Sequence, residues 1–348
     1  MPCRHAGSSA VAIIALLCLL LSSGAPSLEA QGSDIEALWK ERFKRPGLPP
    51  PSPPDNPLTP DKVALGARLF VDTRLSGNGK RSCASCHRPE RDLTDGRRRA
   101  RAVSGAPLRR NTPSLWNLAW GKQFFWDGRA PSLDAQVGMP IEEAQEMGGN
   151  WPETLRRLGE DADLAARIRA AFPEEPRASQ ATVLEALATY VRSLVSPPTR
   201  FDAWIEGDPQ ALRSAEVAGF RLFIGKAGCV LCHVGWRFTD DRFHDIGLPG
   251  SDGGRGAVPG GTPGLMAFKT PSLRAVANTA PYMHDGSLPT LEAVIRHYTG
   301  GLVRRPSLAT NLNRNLRLSA QEKSDLIAFL RTLSSEKGRA RAKRAGPH

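Results

Sequence analysis

The chain has no cysteine to spare for disulfide bonds. Of its six cysteines, Cys3 and Cys18 fall in an apolar leader-like segment, and the remaining four form two copies of one motif. An exported protein usually places its cysteines in disulfides, so these four have another task. Long hydrophobic runs are also missing. The longest runs from Ala10 to Leu21, too short to span a bilayer comfortably. Arg4 and His5 precede it and Ser22, Ser23, Gly24 and Ala25 follow, the pattern of a secretory signal. Cleavage after Ala30 is preferred to cleavage after Ala25, because Pro26 would follow the earlier cut; an uncleaved anchor is the alternative. With the signal removed, the chain is expected in the bacterial periplasm and without a stable membrane span. Aromatic residues make up only 6% and do not interleave with the basic runs. That argues against nucleic-acid binding.

The formal charge of +12 is uneven. Basic residues cluster at Arg97, Arg98, Arg99 and Arg101, and again in the tail at Lys337, Arg339, Arg341, Lys343 and Arg344. Such runs attract acidic proteins or anionic membranes. A solvated loop and an unstructured tail explain them equally simply, and that reading is preferred on sequence alone.

What is present is two CxxCH motifs, Cys83-Ala84-Ser85-Cys86-His87 and Cys229-Val230-Leu231-Cys232-His233. Each matches the c-type haem attachment pattern. Two thiols add to the haem vinyl groups, and the adjacent histidine supplies the proximal nitrogen to iron. A zinc site would need further Cys or His at finger spacing, and none is available. A disulfide within CxxC would leave both histidines unexplained.

The halves of the chain repeat. Val63 to Phe70 and Val217 to Phe223 precede the two motifs as helical segments, with Thr59 and Pro60 as N-cap and first position of the former. Thr112-Pro113-Ser114-Leu115 matches Thr270-Pro271-Ser272-Leu273, and Trp126-Asp127-Gly128 matches His284-Asp285-Gly286 at the same separation of 14 residues. Leu133 matches Leu291. Each half ends in an amphipathic helix, with stripes Val183, Leu184, Leu187, Tyr190, Val191, Leu194 and Leu326, Ile327, Leu330, Leu333. The second opens with a capping box from Ser319 to Glu322.

The expected fold is mainly α, with two cytochrome c-like haem domains, long loops and little strand. The expected divisions are a signal peptide over 1–30, a proline-rich lead-in over 31–60 that is extended from Pro46 to Pro60, domains over 61–198 and 199–335, and a basic tail over 336–348.

The repeat exposes an asymmetry. A histidine-bound haem iron has one further axial position, and whether the protein fills it separates electron transfer from chemistry. The register pairs Pro140 with Tyr298. The Tyr298 phenol could bind ferric iron, while Pro140 offers no donor. Tyr298 as a plain core aromatic, with His297 or Met283 as ligand, stays open at this point. An open iron that takes peroxide also needs a group to shuttle the proton between its oxygens. Gln136 and Glu146 bracket Pro140. A carboxylate in an apolar pocket has a raised pKa suited to that work, but Glu146 also sits in an acidic stretch with Glu142 and Glu143, where it would be an ordinary surface charge.

The chain resembles the bacterial di-haem cytochrome c peroxidases and, within them, the MauG-like group. The resemblance runs from about Asn56 to Leu333. It is carried by Leu75-Ser76-Gly77-Asn78-Gly79, Arg110-Asn111-Thr112-Pro113-Ser114-Leu115, Phe125-Trp126-Asp127-Gly128-Arg129-Ala130 and Ala280-Pro281-Tyr282-Met283-His284-Asp285-Gly286. It implies that Trp126 couples two haem c groups and that Gln136 and Glu146 form the distal pocket. Asn111, with the carbonyls of Thr279 and Pro281, falls on an inter-haem calcium site, an oxygen-rich set that suits that ion. Typical members carry a blocking histidine before the Arg-Asn-Thr-Pro segment. Here no histidine lies between Arg88 and Arg110, Ala106 takes the place, and reductive activation becomes unnecessary. Tyr298 falls where typical members have methionine, as in MauG-like proteins. The group's tryptophan two residues before the second motif is Ala227 here, which puts that particular route to a protein substrate in doubt.

The expected activity is reduction of hydrogen peroxide to water at the haem on Cys83, Cys86 and His87. The haem on Cys229, Cys232 and His233, closed by Tyr298, would store or relay oxidising equivalents. Electrons would come from a small cytochrome c or cupredoxin. A MauG-type oxidase acting on a protein substrate is the alternative, and a non-catalytic di-haem electron carrier or redox sensor a further one.

Overall fold

The computed structural model describes residues 28–335. The expected signal cleavage sites and the basic tail therefore lie wholly or largely outside the described residues. The first element, α1 (Leu28–Phe43), is a helix where the lead-in was expected to begin. Its sequence has no apolar stripe, so periodicity did not reveal it; Glu36 and Lys40 pair along it at 3.5 Å. From Lys44 to Thr59 the chain has no helix, as the prolines dictate.

The rest is mainly helical. The chain continues through α2 (Pro60–Phe70), α3 (Leu133–Glu142), α4 (Trp151–Gly159), α5 (Ala162–Ala171) and α6 (Gln180–Ser193). It then forms α7 (Arg200–Ile205), α8 (Ser214–Ile224), α9 (Leu291–Tyr298) and α10 (Ala320–Thr332). Among the described residues the sheet is one antiparallel pair, β1 (Phe243–His244) and β2 (Phe268–Lys269). Long loops fill the remainder. Caps stand where the sequence puts them. The Thr59 hydroxyl accepts from the Lys62 amide at 3.3 Å, and the Ser319–Glu322 box is reciprocal.

The repeat is visible in the packing. Helix α2 crosses α6, and α8 crosses α10. Each crossing is made at a glycine in matching register. A Cβ on Gly66 would overlap the Ala186 carbonyl oxygen, and one on Gly219 would overlap that of Asp325. Gly219→Val is expected to lower stability by about 1–3 kcal/mol, the usual cost of overpacking; thermal unfolding of the holoprotein measures it, and an unchanged midpoint would refute the close approach.

The cores differ in kind. The N-terminal half buries mostly aliphatic side chains, among them Leu65, Leu69, Ile141, Leu158 and Leu187. The C-terminal half is built on phenylalanine. Phe201, Phe220, Phe238 and Phe329 meet mostly edge-on or tilted with centroids 5.3–6.2 Å apart, and Phe43 joins them. Edge-to-face geometry of this kind is the favoured one for aromatic pairs. Helices α4 and α5 have no counterpart in the second half.

Candidate functional site

Each CxxCH segment folds into a single tight turn. The His87 amide donates to the Cys83 carbonyl at 2.9 Å, and His233 repeats this with Cys229 at 2.8 Å. All four cysteines are free thiols. Burial pushes the Cys83 and Cys229 thiols up to about 12, so these are apolar sites rather than reactive thiolates.

Both histidines are oriented in the same way. His87 Nδ1 lies 2.9 Å from the Leu93 carbonyl oxygen, and His233 Nδ1 lies 2.8 Å from that of Phe238. The neutral ring donates from Nδ1, which leaves Nε2 as the free electron pair for a metal. Burial holds both imidazoles below the ordinary histidine value. Leu93 and Phe238 reach this position in left-handed backbone, φ 63° and 56°. The repeated Thr-Pro-Ser-Leu segment explains how they are held. Ser114 Oγ donates to the Asp92 carbonyl at 2.8 Å, and Ser272 Oγ donates to the Arg237 carbonyl at 2.6 Å, each one residue before the acceptor that orients the histidine. Sequence reasoning saw the repeated serine but missed Leu93 and Phe238. No residue-type signal marks a non-glycine residue that will adopt positive φ.

The two motifs open onto one cavity of about 850 Å³. Its wall includes Cys83, Cys86, His87, Cys229, Cys232 and His233. Trp126 lies on the same wall, its Nε1 donating to the Asn111 carbonyl at 3.0 Å and its carbonyl accepting from the Lys269 amide at 2.8 Å. Paired thiols, an oriented imidazole and an apolar cavity fit a covalent haem at each motif. Asp240 and His244 come within 4.8 Å of Cys232, but a sulfur bonded to haem leaves that trio two ligands, too few for a metal site.

Pro140 and Tyr298 occupy the eighth positions of α3 and α9. These helices start alike, with the Ser132 and Thr290 hydroxyls accepting from Ala135 and Ala293. Both residues line the cavity. The Tyr298 hydroxyl has no hydrogen-bond partner among the described residues, and burial with the nearby Cys229 and Cys232 pushes its pKa up. His297, although next to Tyr298 in sequence, donates from Nε2 to the Ile246 carbonyl at 2.9 Å and is not on the cavity wall. Met283 is on the wall.

Gln136 and Glu146 both face the cavity near Pro140. Glu146 sits in the turn after α3, its amide bonded to the Glu143 carbonyl at 2.9 Å. Burial raises its carboxyl above the ordinary value, with Arg129 opposing and Glu143 adding to the rise. Arg129 is held by Asp127 at 3.1 Å and stacks 3.6 Å over the Phe125 ring. Sequence reasoning did not single out Arg129. Asn111, Thr279 and Pro281 also line the cavity. Asn111 Nδ2 donates to the Arg97 carbonyl at 2.8 Å, and the carbonyls of Thr279 and Pro281 accept no hydrogen bond within the described residues. Ala106 is exposed at the tip of a tight loop and away from the cavity wall.

Known proteins match this arrangement. The family profile of the di-haem cytochrome c peroxidases matches residues 60–210. The chain is 49% identical over 319 residues to the methylamine utilization protein MauG of Methylorubrum extorquens, covering 90% of each chain. It is 37% identical to a cytochrome-c peroxidase of Denitromonas iodatirespirans, covering 82% of this chain and 85% of that one. Among solved structures, a MauG-like protein associated with microbial copper homeostasis superposes with a TM-score of 0.76 at 36% identity, over 83% of this chain and 94% of the other.

Proposed function

Because the chain belongs to the MauG-like di-haem cytochrome c peroxidase family, we propose that it reacts with hydrogen peroxide at the site built on Cys83, Cys86 and His87. The observation that carries this reading is the contrast between Pro140 and Tyr298 at matching positions of one cavity wall. The family carries two haem c groups; here Cys83, Cys86 and His87 would hold one and Cys229, Cys232 and His233 the other, supplying iron that exchanges electrons with peroxide. Pro140 brings no donor atom to the cavity wall, so it would leave a group held by His87 open to a small ligand. Tyr298, near Cys229 and Cys232, would offer its phenol oxygen to the group held by His233.

Glu146 takes the proton of an arriving peroxide and returns it to the departing oxygen. Its desolvated carboxyl suits both halves of that transfer. Gln136 supplies amide hydrogen bonds that orient the ligand, and Arg129 limits how far the Glu146 pKa rises. Trp126 provides an aromatic bridge on the wall shared by the two sites. Asn111 with the Thr279 and Pro281 carbonyls is proposed to hold a calcium ion, an oxygen-only set that suits it. The protein is proposed to work in the periplasm, a reading supported by the basic-then-apolar N-terminal run.

The electrons come from a protein, and two readings stand. A small cytochrome c or cupredoxin as donor makes the protein a peroxidase. A MauG-type oxidation of a protein substrate is at least as well supported, since identity to MauG exceeds identity to the peroxidase relative.

The test is the ferric absorption and EPR spectrum of the purified holoprotein, before and after peroxide. One high-spin and one low-spin haem, with a change on mixing, is the expected result. Two low-spin haems and no reaction would sink the reading. Peroxide-dependent oxidation of a reduced small redox protein, set against mass change in a co-expressed partner, separates the two destinations.

A further inference from the structure

The arginine run singled out in the sequence is not a loose solvated loop. Arg97, Arg98, Arg99 and Arg101 are exposed, while Ala100 and Ala102 between and after them are buried. The backbone is pinned at every step. The Arg97 amide donates to Asp95 Oδ1 at 3.0 Å, and Asn111 Nδ2 donates to the Arg97 carbonyl. A Cβ on Gly286 would overlap the Arg98 carbonyl, so that strand of chain lies flat against Gly286. Leu108 and Ala102 amides then close a short hairpin, donating to the Ala100 and Ala106 carbonyls at 2.7 Å each.

The four guanidinium groups have no carboxylate partner among the described residues. Asp95 is buried under the Arg97 amide, and Asp252 pairs with Arg109 and Arg110 at 3.1 and 2.8 Å. The four arginines and Pro107 frame a cleft of about 480 Å³. Arg97, Arg98 and Arg99 do not line the haem cavity, so they lie off the wall where haem carboxylates would be met. Arg101 lies on both walls, and Arg81 on the cavity side donates to its carbonyl. Lys80 to Arg110 holds ten basic residues against three acidic ones, seven of the chain's twelve net positive charges.

We propose that this arginine face is a docking surface for an acidic patch on a partner protein, set beside the haem site of Cys83 and Cys86. The backbone that carries these cations is already ordered, so docking costs side-chain ordering alone, and their field steers an acidic partner toward the cavity edge. The partner is the protein that exchanges electrons with this site, and to that extent the inference rests on the function proposed above.

The experiment measures binding of a fluorescein-labelled deca-glutamate peptide to the di-haem holoprotein by anisotropy. Arg97→Gln/Arg98→Gln/Arg99→Gln is compared with Arg156→Gln/Arg167→Gln/Arg304→Gln, which removes equal charge elsewhere on the surface. The first should weaken binding about tenfold or more at low salt, with the difference shrinking as ionic strength approaches 0.15 M, roughly where the Debye length falls to 8 Å. The second should change it less than about twofold. Equal losses in the two variants, or none in the first, overturn the proposal. So does displacement of the peptide by about 1 mM inorganic phosphate at matched ionic strength, which would mark a small-anion site. Recruitment to phosphatidylglycerol vesicles that depends on these arginines, with peptide binding indifferent to them, would assign the face to a membrane instead. Peroxide turnover with a small dye as donor should be the same in both variants and wild type. Peptide binding without any peroxide reaction would sink the proposed function and leave the docking surface standing.

Discussion

Glu146→Gln slows the reaction with peroxide by about 100-fold or more, within the range that a positioned acid–base group contributes. The substitution keeps the side chain's shape and removes only its capacity to take a proton. Both CxxCH segments are untouched, so haem content and the resting ferric spectrum stay as in the wild type. The pH dependence has a definite sign. Burial raises the Glu146 carboxyl above its ordinary 4.5. The form that accepts a proton therefore predominates only above that raised value, and the wild-type rate falls as pH drops through it. The variant lacks this limb. Stopped-flow mixing with peroxide across the acid range measures both effects, and a wild-type rate with the limb intact in the glutamine variant would remove Glu146 from the mechanism.

Tyr298→Phe changes one haem and leaves the other alone. The phenol lies in the cavity beside Cys229 and Cys232, with no hydrogen-bond partner among the described residues. Burial and the two sulfurs disfavour the phenolate, so only a contacting cation would keep it ionised. If the phenol oxygen holds the iron of the second haem, its loss would remove an anionic donor that favours the ferric state. The haem on His233 should change its spectrum and raise its midpoint potential by on the order of 0.1 V or more, well inside the roughly 0.8 V range set by axial ligands. A haem on His87 should keep its spectrum, because the substitution leaves Cys83, Cys86, His87 and Pro140 untouched. Tyr298→His gives the same kind of change with a nitrogen ligand restored. Redox titration monitored at the two haem bands reads the result. An unchanged second haem in both variants would return Tyr298 to the status of a wall residue.

Much of the site could be read without coordinates because its chemistry is spelled in contiguous residues. The CxxCH motifs carry their own geometry, since five residues close one turn. The helices α2, α6, α8 and α10 announced themselves through the repeat, their caps and their apolar stripes, while the close approach at Gly66 and Gly219 needed the packing. Helices α4 and α5 were not foreseen, since they interrupt the repeat and have no second copy to support them. Helix α1 was hidden for another reason, since its sequence carries no apolar stripe.

The sequence by itself determined the two CxxCH motifs and, through the repeat, that the two halves differ at Pro140 and Tyr298. It did so because covalent attachment and ligand identity are properties of residue type and short spacing. Only the tertiary structure decided that both motifs share one cavity and that His297 turns away to the Ile246 carbonyl. It also decided that Leu93 and Phe238 aim the imidazoles, that Glu146 lies on a desolvated cavity wall, and that the arginine run is a pinned face with no carboxylate partner among the described residues. Those facts depend on burial, left-handed backbone and contacts between segments far apart in the chain, and no local pattern encodes them.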